Sequence, residues 1–185
     1  MTGKELASPL VSLLFRAITK LELLCLTATA YIKSKWLKVH KQHTNRYLEP
    51  YKMIREVITG TEWNNFYNLR ISPHAQPEIR ELAIAMRDSV PKIVFSEVHL
   101  PYGIKDDEVL GDAIKRNVAT AASISYRLIS DMSREKSNAL YSRLLDDYHM
   151  SPFEHVAFAS GDDERYANFT GWVSHRYDLE KTKDV

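Results

Sequence analysis

Cysteine is almost missing. Cys25 is the single one in 185 residues, which excludes an intrachain disulfide and any cysteine-based zinc site. That usage suits a reducing compartment, so a cytoplasmic location is expected. Net charge is nearly missing as well: 25 Lys and Arg oppose 24 Asp and Glu, for a formal +1. No overall field therefore steers the chain toward nucleic acid or an acidic partner, and no nucleic-acid partner is expected. Glycine is scarce, at 6 residues, and no Gly-rich phosphate loop of the dinucleotide or P-loop kind occurs. No clean apolar run occurs either. Leu10–Ile32 is the most apolar stretch, yet Arg16, Lys20 and Glu22 interrupt it short of the ~20 residues a spanning helix needs. Lys4 with Leu10–Phe15 only weakly imitates a signal peptide. Neither a membrane span nor a leader is expected.

What is present suits one domain with a real core: 44% of residues are hydrophobic. Ser8-Pro9 reads as an N-cap and first helical position. A long helix is expected from there to about Tyr47, with a break near Ala30–Ile32 and a stop at Pro50. Met53–Thr59, rich in β-branched residues and followed by Gly60, reads as a strand and turn. Thr61 would cap a short helix carrying Trp63, Phe66 and Leu69. Pro77 opens the clearest helix, with Ile79, Leu82, Ala83 and Met86 on one face. Lys92–Leu100 reads as extended. Helices follow at about Asp106–Arg127 and Ser133–Tyr148, then a polar tail from Ser160 with a loop at Gly161–Asp163. No repeat or linker interrupts the chain. The expected fold is a helix-rich α+β single domain.

Several clusters could carry chemistry. Asn64, Asn65, Asn68, Arg70, His74 and Gln76 interleave with Trp63, Phe66, Tyr67 and Leu69. They read either as a solvated helix and capped loop or as amide and guanidinium donors beside aromatic surface. The second arrangement suits a planar heterocycle with carbonyl edges. The basic stretch Lys33–Arg55, with Trp36, Tyr47 and Tyr51, reads as the wet face of a helix, single-strand nucleic-acid binding being the alternative. Arg46 stands out at an element terminus, where a guanidinium can meet a phosphate. His40 and His43 have helical spacing but no third ligand nearby, so no metal site is expected. Ser151-Pro152-Phe153-Glu154 reads as a capping box, flanked by His149 and His155. Cys25 lies among Leu23, Leu24 and Leu26 and is expected to be a buried, inert thiol.

These residues also fall in a register. Asn65, Leu69, Arg70, His74, Ala75, Gln76, Glu78 and Ile79 match a pattern of Asn, three residues, Leu-Arg, three residues, His-Ala-Gln, one residue, Glu-Ile. That pattern resembles the long signature of flavin-dependent thymidylate synthases, the ThyX family. Asn45–Pro50, with Arg46, resembles the segment of that family whose arginine contacts the nucleotide. His149–His155 resembles its His-x-Ser/Thr-Pro-Phe-Glu-His segment beside the flavin, and Ala122–Tyr126 its Ala-Arg-Val-Ser-Tyr/Phe segment. The resemblance runs from about residue 36 to 176. Residues 1–32 form a helical segment of unclear match, and 33–185 a thymidylate synthase-like domain. The segment order is reversed from that of common members and resembles a permuted, phage-like branch. The family's Arg-His-Arg hallmark is not found, and its counterpart is expected upstream. Ser174-His175-Arg176 is only an accidental likeness. Thr59, Thr61 and Ser123 stand where many members carry Asn, Arg and Arg.

The resemblance implies synthesis of dTMP from dUMP by a homotetramer. FAD would be the cofactor, with NADPH and methylenetetrahydrofolate as co-substrates. It implies Arg46 and Arg70 as the catalytic pair that holds the nucleotide, with Leu69 and Gln76 beside it. Asn65, His74, Ser125, His149, Ser151 and Glu154 would line the flavin side. A hydroxymethyl-pyrimidine product is the nearest alternative. A non-catalytic nucleotide- or flavin-binding remnant is the second, and a single-strand nucleic-acid binder the third.

Overall fold

The computed structural model describes residues 9–89, 97–124 and 132–183. The chain divides into two compact units, Met1–Ile54 and Arg55–Val185. The elements are mainly helical with a small sheet, which agrees with the α+β class.

The first unit is built on α1, Pro9–Lys35, which runs unbroken through Ala30–Ile32 where a break was expected. Its threonines do not interrupt it. Thr19, Thr27 and Thr29 donate their hydroxyls to the carbonyls of Phe15, Leu23 and Cys25, each one turn back. The helix stops at Lys35, and Lys38 takes a positive φ of 56°. Beyond it lie a short helix α2, Lys41–Asn45, and a 3-10 turn, Arg46–Tyr51. The single helix expected to Tyr47 is therefore three pieces. Lys33 Nζ donates to Tyr47 Oη at 2.9 Å and closes the end of α1 onto this turn. Cys25 is exposed, which corrects the buried thiol expected from its leucine neighbours. Neighbours in sequence point around the whole helix, so apolar flanks do not make a residue buried.

The second unit begins with two helices, α3 (Trp63–Arg70) and α4 (Pro77–Ser89). Its core lies around α5, Leu110–Ser123, and α6, Arg134–Asp146. Ala113, Val118 and Ala119 are fully buried, and such small side chains let neighbouring elements approach α5 closely. Val118, Leu144, Met150, Phe153 and Val156 form one apolar cluster, with Leu140, Tyr141, Phe158 and Leu179 packed against it. Ser133 caps α6, accepting from Lys136 N at 3.3 Å. The helix expected from Asp106 starts later because residues 105–108 form a turn that α5 holds. Arg116 donates from Nε and Nη2 to the two carboxylate oxygens of Glu108, both at 2.8 Å. It also reaches the Gly103 carbonyl at 2.8 Å, and Asn117 Nδ2 reaches the same oxygen at 3.0 Å.

The sheet is antiparallel, β1 (Val98–His99), β2 (Ala157–Ala159) and β5 (Trp172–Ser174), with Phe158 paired to both Val98 and Val173. Of the extended stretch expected at Lys92–Leu100, β1 is the described part, and residues 92–96 lie outside the described residues. A separate hairpin joins β3, Arg165–Tyr166, to β4, Phe169–Thr170. The loop at Gly161–Asp163 is present, but the rest of the expected polar tail is this hairpin, β5 and α7, His175–Lys183. Met53–Thr59 forms no strand, which corrects the expectation. Its β-branched residues favour extension, but no described strand pairs with it. Ser151–His155 is a 3-10 turn without a side-chain cap, so the expected capping box is absent. Among the described residues, no helix is long and apolar enough to cross a membrane.

Candidate functional site

The site grows out of the segment that joins residue 56 to α3. Thr59 Oγ1 lies 3.1 Å from His155 Nδ1. Thr61 Oγ1 accepts from Thr170 N at 3.0 Å, and Glu62 Oε1 accepts from Thr170 Oγ1 at 3.3 Å. These bonds tie the start of α3 to β4 and to the turn before β2. They also correct the expected Thr61 cap: Glu62 stands at the N-cap, without a capping bond, because the Thr61 hydroxyl serves Thr170.

Within α3 the aromatic residues support one another. Trp63 and Tyr67 stack at 5.9 Å with 27° between planes, and Phe66 meets both edge-on. Such pairs hold ring orientation as well as apolar area. Asn64, Tyr67, Asn68 and Ile71 then recur at i, i+3, i+4 and i+7 and line a cleft of about 1820 Å³. Met86 and Arg87 of α4, His99 of β1, Ala157 of β2, Phe169 of β4 and Trp172 of β5 line it too. All of these belong to the second unit.

The electrostatics are sparse. Among the described lining residues, Arg87 is the one arginine or lysine, and its Nη2 is 2.9 Å from Asp88. Glu56 is the one carboxylate among those described. Desolvation lowers the pKa of His99, so its imidazole favours the neutral form that can both donate and accept. Burial likewise lowers His155, with nearby Glu154 opposing and His99 reinforcing the shift. Among the described residues, no group of three or more His, Cys, Asp or Glu is placed to hold a metal ion.

The sequence-predicted residues fall elsewhere. Asn65, Leu69 and Arg70 lie on other faces of α3, exposed, and none lines the cleft. His74 and Gln76 are exposed in the turn before α4, where His74 N donates to Ser72 Oγ at 3.3 Å. Arg46 is exposed on the 3-10 turn of the first unit. Ser125 lies outside the described residues. His149 and Ser151 are exposed around the second 3-10 turn. Glu154 Oε1 accepts from Arg176 Nη1 at 2.6 Å, and Arg176 Nε donates to Glu180 at 2.8 Å. The structure thus gathers Asn64, Tyr67 and Asn68 with His99 and Trp172. The i, i+4 spacing of Asn64 and Asn68 is a helical signal that could have singled this pair out of the cluster. His99 and Trp172 carried no local signal, because strand pairing through β2 brings them in.

Comparison with curated proteins and with solved structures gives no match. Comparison with family models matches residues 37–94 to the family described as thymidylate synthase complementing protein. That stretch supplies α3, α4 and much of the cleft wall. Residues 37–94 thus resemble the thymidylate synthase complementing protein family.

Proposed function

We propose that the chain acts as a flavin-dependent thymidylate synthase whose cleft receives the flat ring of dUMP or of the flavin. One observation carries the reading. One wall of the cleft comes from residues inside the family match: Thr59 and Thr61, then Asn64, Tyr67 and Asn68. Amide groups one turn apart can satisfy a ring with alternating carbonyl and N–H edges, and Trp63, Tyr67 and Trp172 supply aromatic surface for its faces. Neutral His99 adds a donor and acceptor at the wall.

The described lining suits a planar heterocycle better than a diphosphate. Phosphate recognition wants paired guanidinium or clustered N–H donors. Arg87 is the one arginine or lysine among the described lining residues, and it is already paired with Asp88. The phosphates of FAD or dUMP would therefore be met by residues beyond this described lining, for which Arg70 is the proposed holder in this unit; Arg46, in the first unit, is kept as a proposed nucleotide contact. In this reading NADPH and methylenetetrahydrofolate are the co-substrates, and the chain self-associates. The scarcity of cations among the described lining residues also favours a second reading, a binder of the ring without turnover.

Absorbance and calorimetry test the proposal. Bound oxidised flavin absorbs near ~450 nm, a property of this cofactor class. Purified protein should carry that band or acquire it with added FAD, and should bind dUMP. Asn68→Ala and Trp172→Ala should each weaken binding. No flavin band and no heat with millimolar dUMP would overturn both readings. Binding without dUMP-dependent NADPH oxidation would leave the second.

A further inference from the structure

One exposed face of α1 is a heptad seam. Val11, Ile18, Cys25 and Ile32 recur every seven residues, and Leu14, Leu21 and Ala28 follow each of the first three by three. These are the a and d positions of a two-stranded coiled coil, apolar through more than three heptads. The large members of the seam are 47–62% exposed, and Cys25 and Ala28 are exposed too. Ala30 is buried and Thr19, Leu23 and Leu26 are half-buried, all on a side about 150° around the helix from the seam. The face that α1 turns away from its own unit is thus the apolar one. A helix of 27 residues with so little tertiary cover lacks the packing that normally holds an amphipathic helix.

We propose that α1 pairs with α1 of a second copy of this chain as a parallel two-stranded coiled coil, with Cys25 facing Cys25 across the seam. The residue choice fixes the number of strands. In a parallel coiled coil, β-branched side chains at a with leucine at d favour two strands, and here Val11, Ile18 and Ile32 occupy a while Leu14 and Leu21 occupy d. Charge agrees. Arg16 and Lys20 lie off the seam, and Glu22 is the one charged residue among the flanking e and g positions from Leu10 to Tyr31. The area is sufficient. Leu10, Phe15, Leu24 and Tyr31 widen the seam, and exposed side chains of this kind offer on the order of 100 Å² each. A pair of helices would bury roughly 1,800 Å², within the ~1,200–2,000 Å² of a stable interface.

Three single-cysteine forms of the whole chain test this under mild copper-phenanthroline oxidation. They are the native protein, Ile18→Cys with Cys25→Ser, and Lys20→Cys with Cys25→Ser. The first two should give a band at twice the 21.4 kDa chain mass on non-reducing gels. They should do so at least about tenfold faster than the third, because the seam sets a high effective concentration that a position off the seam lacks. Equal rates for all three, or no band, would overturn the proposal. A band for the native protein without one for Ile18→Cys would overturn the parallel arrangement. Co-sedimentation with phosphatidylserine-containing vesicles and no crosslink would assign the face to a lipid surface instead, and would also overturn it.

Discussion

Arg176 holds Glu154 through Nη1 at 2.6 Å and Glu180 through Nε at 2.8 Å. The bond to Glu154 fastens α7 to the Ser151–His155 turn, which carries Phe153 into the core. Arg176 and Glu154 each keep over a third of their side-chain surface in water, so the pair stabilises little. Arg176→Ala should cost under ~1 kcal/mol in urea unfolding. Phe153 lies beside Glu154 in the same turn and is fully buried, so Phe153→Ala should cost ~3–5 kcal/mol. Comparable losses would mean that the ion pair organises the turn.

The Glu108–Arg116 pair is of the other kind, since both side chains are largely removed from water. Glu108→Ala would leave the Arg116 guanidinium buried without its carboxylate. Breaking such a pair costs about 3–5 kcal/mol, far more than the exposed pair above. Urea unfolding checks it. A loss under ~1 kcal/mol would show that water reaches Arg116 freely.

The same pair sets an acid limit. Arg116 holds the Glu108 carboxyl down from 4.5 to about 2 in the folded chain. A depressed carboxylate pKa means that the unfolded chain takes up the proton first as pH falls. The contribution is therefore full above about 4.5 and is lost as pH falls toward about 2. The gap in unfolding free energy between the native protein and Glu108→Gln should shrink across that window and stay constant above about pH 5. A gap independent of pH down to about 2 would contradict the assignment.

Arg70 separates the sequence pattern from the cleft. It lies in the Leu-Arg…His-Ala-Gln register but does not line the cleft. Arg70→Ala should weaken dUMP binding by about 1.5–3 kcal/mol, the range for a hydrogen bond to a charged group. Its melting temperature without ligand should hardly move, because the side chain is exposed. Equal affinities by calorimetry would remove Arg70 from the nucleotide site.

Periodic signals were legible in the sequence, and tertiary ones were not. Pro77 and the Ile79–Met86 spacing announced α4, and a helix was also expected where α6 lies, at about Ser133–Tyr148. The register of Asn65, Leu69, Arg70 and His74 pointed to the family matched at residues 37–94. Met53–Thr59 misled because β propensity needs a partner edge to become a strand. Ser151 misled because its turn is set by the burial of Phe153, and Glu154 turns to Arg176 instead of back to the cap. Cys25 misled because apolar neighbours say nothing of which side a helix buries. Arg116 and Asn117 gave no sign of their role, since their partners sit on a loop whose path only the fold defines.

The Gly103 carbonyl takes donors from two consecutive side chains of α5, at 2.8 Å from Arg116 and 3.0 Å from Asn117. Asn117 Oδ1 in turn accepts from Tyr102 N at 2.7 Å, and Lys105 N donates to Glu108. Residues 101–108 form neither helix nor strand, yet they cannot open without pulling buried groups out of α5. The bonded amide protons of Tyr102, Gly103, Lys105 and Glu108 should then exchange with solvent on the slow schedule of that helix, and a protease should find the loop uncut until the helix itself lets go.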